Sequence, residues 1–210
     1  EKEDEYVNPI KKVMENSAPG IVLNGEDARM KMVQDVYNEY LNYIERLFTR
    51  YATHKTINQE ELFETVKDLC VFIKENKRYV LRIMPSAEAR SKNFLVIHSM
   101  RSTVLAITIG LELHIPLSKL IELGVTCILH EIGMIRLPPQ LYMTDKPLTS
   151  IERAHISTHP LIGFNIIKSL NFPLSIQLGV LEHHEKENGT GYPRKLSGDK
   201  ISTYAKIISV

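Results

Sequence analysis

Val125-Thr126-Cys127-Ile128-Leu129-His130-Glu131-Ile132-Gly133-Met134-Ile135-Arg136-Leu137-Pro138 is the stretch on which the reading of this chain turns. An apolar run of helical character ends in an adjacent imidazole and carboxylate, and Gly133 and the Pro138-Pro139 pair then stop it. Neighbouring residues on a helix point about 100° apart, so His130 and Glu131 do not form two ligands on one flat face; they touch different metals or bridge them. Such a corner needs partners. The chain carries them at intervals in apolar helical surroundings: His98, His159, and the doublet His183-His184 followed by Glu185. Neutral imidazole with carboxylate suits iron, manganese or zinc, whereas oxygen-only sets suit magnesium or calcium. A single helical histidine is more often a core or surface residue than a ligand, but the constellation as a whole reverses that reading.

Outward from the corner, the pattern is helical and the expected fold class is all-α. Residues 1–29 begin acidic and are punctuated by Pro19-Gly20 and Asn24-Gly25, which predicts a loop-rich segment. Val33, Val36, Tyr37, Tyr40, Leu41, Ile44, Leu47, Phe48 and Tyr51 recur at steps of three and four and predict an amphipathic helix over 33–51. A second helix over 58–76 is capped by Asn58 with Glu61 at the third position. The two make a helical hairpin, an extension spanning 30–90 ahead of a metal-binding domain over 91–210. Leu95 to Leu113 is apolar on most sides and belongs at the centre of a bundle, with His98 near its start. Leu120 to Glu131 forms the next helix. Thr149-Ser150-Ile151-Glu152 is a capping box opening a helix that carries His155 and His159, and Pro160 is expected to kink or break it immediately after His159. His155 and His159, four apart, are a competing metal pair. A helix from Pro173 through Leu181 leads into His183-His184-Glu185. Asn188 to Pro193 is a turn-rich loop with charged flanks rather than a β-hairpin, and Ile201 to Val210 is apolar and helical.

Composition narrows the class. With 43% hydrophobic residues, 24% charged residues and a net charge of +1, the chain reads as an ordinary soluble, cytoplasmic protein with no nucleic-acid polymer as partner. Cys70 and Cys127 lie among apolar helical neighbours, which favours buried thiols over a disulfide. No signal peptide and no uncharged apolar run near 18 residues is present, so no membrane span is expected. A start at Glu1 without Met and a stop at Val210 inside an apolar run read as a fragment, with the domain over 91–210 cut short at its end.

Taken together, His130-Glu131-Ile132-Gly133, Leu148-Thr149 with Glu152, His159-Pro160 with Gly163, His183-His184-Glu185 and Gly191-Tyr192-Pro193 resemble the HD-GYP family of HD-superfamily metal-dependent phosphohydrolases, over roughly His98 to Val210. Other metal-hydrolase signatures do not fit: a zincin needs a histidine where Met134 stands, and Gly179 defeats an inverted motif before Glu182-His183. The resemblance implies an HD-domain helical bundle holding two divalent ions, iron or manganese with zinc as a further option. It also implies hydrolysis of the bacterial messenger cyclic di-GMP to a linear dinucleotide or GMP through a metal-activated hydroxide. His98, His130, His159, His183 and His184 match the family's histidine ligands, and Glu131 stands where its Asp bridges both metals. Gly191-Tyr192-Pro193 matches the signature loop, expected near substrate and in contact with diguanylate cyclase domains.

The sequence departs from the family in four places. Glu131 is one methylene longer than Asp. Met134 replaces a Lys beside the scissile phosphate, leaving Arg136 as the nearest cation for substrate. Phe94 stands where members with three metals carry a Glu, so two metals are expected, and the family's terminal Asp ligand falls beyond Val210. These departures keep a second function open: a catalytically silent module that binds cyclic di-GMP or a protein partner.

Overall fold

In the computed structural model, the described residues are 6–16, 25–83, 93–144 and 146–210. They form nine α-helices and three short 3-10 turns. The only β pairing among them is an isolated antiparallel bridge between Asn188 and Ser197.

The start of the chain is more helical than its punctuation suggests. Helix α1 (Pro9–Asn16) forms inside the segment expected to be loop-rich. Asn8 opens it, its side-chain oxygen accepting the Ile10 N–H at 2.9 Å, and Pro9 fits a first helical position because its missing N–H has no intrahelical partner there. The remainder of that segment, residues 1–5 and 17–24, lies outside the described residues. Helix α2 (Gly25–His54) starts earlier than its apolar stripe, with Glu26 and Asp27 in the first turn where carboxylates complement the helix dipole. Helix α3 (Gln59–Val80) carries the expected Asn58 cap, Oδ1 accepting the Glu61 N–H at 3.1 Å.

Helix α4 (Phe94–Glu112) lies at the middle of the bundle and packs against α2, α3 and α5 (Leu117–Leu129). By length and hydropathy alone it could cross a membrane, but half of its apolar window is buried against the rest of the protein. The expected single helix around His159 is two: α6 (Ser150–Ile156), with the Thr149–Glu152 capping box in place, and α7 (His159–Ser169). The break therefore precedes His159. Pro160 sits in the first turn of α7, where proline is accommodated, instead of ending the helix before it. Helices α8 (Leu174–Glu182) and α9 (Thr203–Ile208) complete the bundle.

One contiguous apolar core runs through the molecule. Tyr40, Leu41 and Ile44 of α2 and Leu62, Leu69 and Ile73 of α3 are as fully buried as Ile107, Leu123 and Ile128. Cys70 and Cys127 are buried free thiols, as their apolar neighbours imply. The core wraps a polar island, formed where the ends of α5, α6 and α8 meet the second turn of α4.

Candidate metal centre

Three helix ends use the same local device. The last carbonyls of a helix have no intrahelical donor, and in each case a histidine just beyond supplies one from Nδ1 to the carbonyl three residues back. His130 donates to Cys127 O (2.6 Å), His159 to Ile156 O (2.7 Å) and His183 to Val180 O (2.8 Å). A carbonyl can only accept, so Nδ1 carries the proton and each neutral ring presents Nε2 as a bare lone pair. This is the tautomer and orientation that metal-ligating imidazoles require.

Those lone pairs converge. His159 Nε2 lies 3.0 Å from His183 Nε2, and His130 Nε2 lies 3.0 Å from His98 Nε2, the last ring entering from the second turn of α4. His159 and His183 therefore face each other as two acceptors at hydrogen-bond distance, which repel unless a cation stands with them. A proton is a poor candidate, because burial and then the neighbouring imidazoles disfavour it. Burial pulls His130 down to about 3 and His159 and His184 to about 4, and holds His183 well below the usual imidazole range.

Glu131 joins the two sets. Its Oε1 is 3.6 Å from His98 Nε2 and 3.7 Å from His130 Nε2, while Oε2 is 3.3 Å from His159 Nε2. Buried Oε2 has no hydrogen-bond partner, and burial pushes the carboxyl up to about 7. Accordingly, two overlapping groups have ligand atoms within 4.8 Å of one another: Glu131 with His159, His183 and His184, and Glu131 with His98 and His130. An orphaned buried carboxylate oxygen amid five imidazoles, none readily protonated, fits a divalent metal.

A second layer holds the doublet. Glu185, buried after His183-His184, accepts the backbone N–H of Arg194 (2.6 Å) and of Leu196 (2.9 Å), pulling the 186–197 loop down on itself. Gly191 packs against that turn; a Cβ there would lie 2.5 Å from His184 O, Glu185 Cα and Lys186 N, so only glycine fits. Tyr192 then stacks on the His184 ring, centroids 4.7 Å apart, and Pro193 follows through a cis bond. Glu182, buried on α8, pairs with the Arg194 guanidinium and accepts the Ser202 N–H at 2.7 Å, tying the start of α9 to the same doublet.

Beside the cluster opens a cleft of about 620 Å³, lined by His98, His130, Glu131, His183 and His184 together with Lys186, Glu187 and Lys206. Lys206 pairs with Glu187 at 3.0 Å and Asp199 at 3.7 Å.

The structure thus brings together His98, His130, Glu131, His159, His183 and His184, and sets Gly191, Tyr192 and Pro193 behind His184 rather than on the cleft wall. Arg136 is elsewhere: its guanidinium lies over the Tyr51 ring at 5.8 Å and donates to the Tyr51 hydroxyl at 3.3 Å. The competing pair fails because His155 is exposed and belongs to neither ligand group. Met134 is buried in the core, and Phe94 stacks on His98 at 5.5 Å. Sequence reading missed the supporting roles of Glu182, Arg194 and Lys206. A carboxylate directly after Val180-Leu181 in an apolar helix was the available signal for Glu182.

With the bundle and its ligand island in view, comparison with known proteins gives the class. The HD domain profile matches residues 83–210, and the chain belongs to the HD domain family. Among curated relatives, it is 34% identical over 118 residues to the cyclic di-GMP phosphodiesterase PdeB of Borreliella burgdorferi, covering 56% of this chain and 31% of that protein. It is 38% identical over 85 residues to a cyclic di-GMP phosphodiesterase of Thermotoga maritima, covering 39% of this chain and 23% of that one. The chain spans less than a third of the length of these relatives. The solved structure of Bd1817, a HDG"Y"P protein from Bdellovibrio bacteriovorus, superposes with a TM-score of 0.72 over 96% of this chain and 62% of that one, at 20% identity. That likeness shows the fold.

Proposed function

We propose that this chain carries the metal-bearing core of a cytoplasmic phosphodiesterase that hydrolyses cyclic di-GMP to a linear dinucleotide or GMP. The observation that carries the reading is Glu131, whose two oxygens face two separate groups of imidazole lone pairs. His98 and His130 would hold one divalent ion, His159, His183 and His184 a second, with Glu131 between them; the donor set suits iron or manganese, and zinc as well. When bound, such a pair supplies charge neutralisation at phosphoryl oxygens and a lowered pKa for water poised in line with phosphorus.

The protein's own part is positioning and charge. The three Nδ1–carbonyl bonds fix the rings before any ligand arrives, and burial of His130, His159 and His183 with Glu131 keeps these imidazoles neutral and so available to cations. Lys186 and Lys206 line the same cleft and would supply positive charge for the substrate's phosphates, Lys206 by exchanging its pairing with Glu187 and Asp199. The cleft volume lies within the roughly 300–1,000 Å³ typical of ligand sites. The exposed residues of the 186–197 loop, Thr190 and Arg194 among them, are the face offered to diguanylate cyclase domains in this reading.

One observation favours the silent module. With Met134 in the core and Arg136 turned to Tyr51, neither residue of the Met134–Arg136 turn puts a cation beside the phosphate. Chromatography of cyclic di-GMP incubated with manganese- or iron-loaded protein separates the readings. Linear dinucleotide or GMP that disappears in Glu131→Gln supports the enzyme; bound but intact cyclic di-GMP on metal-loaded protein overturns it in favour of the silent module.

A further inference from the structure

The cleft beside the metal ligands carries charges of both signs, and two of them are already on each other. Glu187 Oε1 lies 3.0 Å from Lys206 Nζ, and both residues line the cleft. Asp199 reaches the same ammonium only at 3.7 Å and from a fully exposed side chain, so Glu187 is the closer anion. Neither group of candidate metal ligands includes Glu187, although it follows His184 by three residues. The metal centre therefore gives this carboxylate no task.

The fold fixes both ends of the contact. The Glu187 carbonyl accepts the Gly198 N–H at 3.2 Å, next to the Asn188–Ser197 bridge, so the residue stands at the closed base of the 186–197 loop. Lys206 rides on α9, whose Tyr204, Ala205 and Ile207 are buried and whose preceding Ser202 is tied to Glu182. The backbones thus set a carboxylate against a cation of the cleft, while the side chains stay free to part: Lys206 is 33% exposed and Glu187 66%. An ion pair this wet contributes little, because water competes for both charges and two long side chains lose rotamers to hold it. It exchanges readily. A phosphodiester offers the ammonium the same single negative charge and the same kind of oxygen acceptor as the carboxylate, and a displaced Glu187 is already largely in solvent.

We infer that Glu187 is a stand-in anion for the substrate: its carboxylate occupies Lys206 in the ligand-free protein and is displaced into solvent by a phosphodiester group. Glu187 is thereby a determinant of substrate affinity that acts through Lys206. The inference rests on the phosphodiesterase reading of the same cleft.

The test measures affinity for cyclic di-GMP on the manganese-loaded whole chain, as KM where it is cleaved and as a calorimetric Kd where it is bound intact. Wild type is compared with Glu187→Gln, Lys206→Gln and the double variant; each change neutralises a partly exposed side chain, and circular dichroism verifies the fold. Glu187→Gln is expected to tighten binding about two- to fivefold, the range set by an exposed ion pair, and Lys206→Gln to weaken it. Adding Glu187→Gln to Lys206→Gln should bring no tightening, because the competing pair is already gone. The inference is overturned by a Glu187→Gln variant that binds no tighter than wild type, by a Lys206→Gln variant that binds as well as wild type, or by equal tightening in the Lys206→Gln background. Each of these is read against a wild type that binds or cleaves cyclic di-GMP, so it strikes this inference alone. Wild type that neither binds nor cleaves cyclic di-GMP overturns the phosphodiesterase reading and this inference together.

Discussion

His130, His159 and His183 each give an Nδ1 proton to a helix-terminal carbonyl, and the consequence for acid stability is specific. Their folded-state pKa values, about 3 for His130, about 4 for His159 and well below normal for His183, lie under the roughly 6.5 of an unfolded imidazole. His184, at about 4, behaves alike. Depressed histidines cost nothing above pH 6.5, and stability falls as pH drops from there toward 4, since the unfolded chain then binds protons that the folded one refuses. Glu131 opposes this, because its carboxyl, raised to about 7, favours the folded state on acidification; one carboxyl is outweighed by four imidazoles. In urea titrations of metal-free protein, the midpoint should decline steadily between pH 6.5 and 4. A midpoint that is flat or rises over this window would contradict the burial of neutral histidines. These ligands were legible in the sequence because histidine is conspicuous in apolar runs. Arg136 was misplaced because the direction of a long side chain depends on what packs beside it, here Tyr51, 85 positions away.

At the scale of elements, the glycines of the motifs are contact points between segments. Gly133 follows Glu131 and Ile132 in the 3-10 turn Ile132–Arg136, and a Cβ there would fall 2.0 Å from the His159 carbonyl oxygen and 2.8 Å from Gly163 N. Both are backbone atoms, so α7 would have to move away, carrying His159 from Glu131. Gly133→Ala is expected to cost at least the roughly 1–3 kcal/mol typical of overpacking and to reduce metal retention, measured by urea unfolding and metal analysis. Gly25→Ala, with nothing within 4 Å of the added methyl, is the matched control and should change neither. Helices were readable from three-and-four periodicity and from the caps at Asn58 and Thr149, both of which form. The break near His159 was placed on the wrong side because proline both ends helices and begins them, and the sequence does not say which. Glu182 escaped notice because its partners, Arg194 and Ser202, come from a loop that only the fold brings back.

For the molecule as a whole, the hairpin and the ligand-bearing helices share one core. Leu41, Ile44, Leu62, Val66, Leu69 and Ile73 are all at most 1% exposed. Fully burying each is worth about 1.5–3 kcal/mol, against a total stability of about 5–15 kcal/mol for a domain. A fragment of residues 93–210 is therefore expected to lack a cooperative thermal transition by circular dichroism, whereas the whole chain shows one. A sharp transition in the fragment would mean that the hairpin is dispensable to the metal-bearing bundle.

Glu131 joins two sets of imidazoles into one centre. The most direct measurement is the number of metal ions retained per chain after loading with manganese or iron and removal of excess, for wild type and Glu131→Gln side by side. Close to two ions are expected in wild type and fewer in Glu131→Gln, because the shared carboxylate serves both positions. Wild-type protein that is folded yet retains none, or a Glu131→Gln variant that retains as many as wild type, would contradict it.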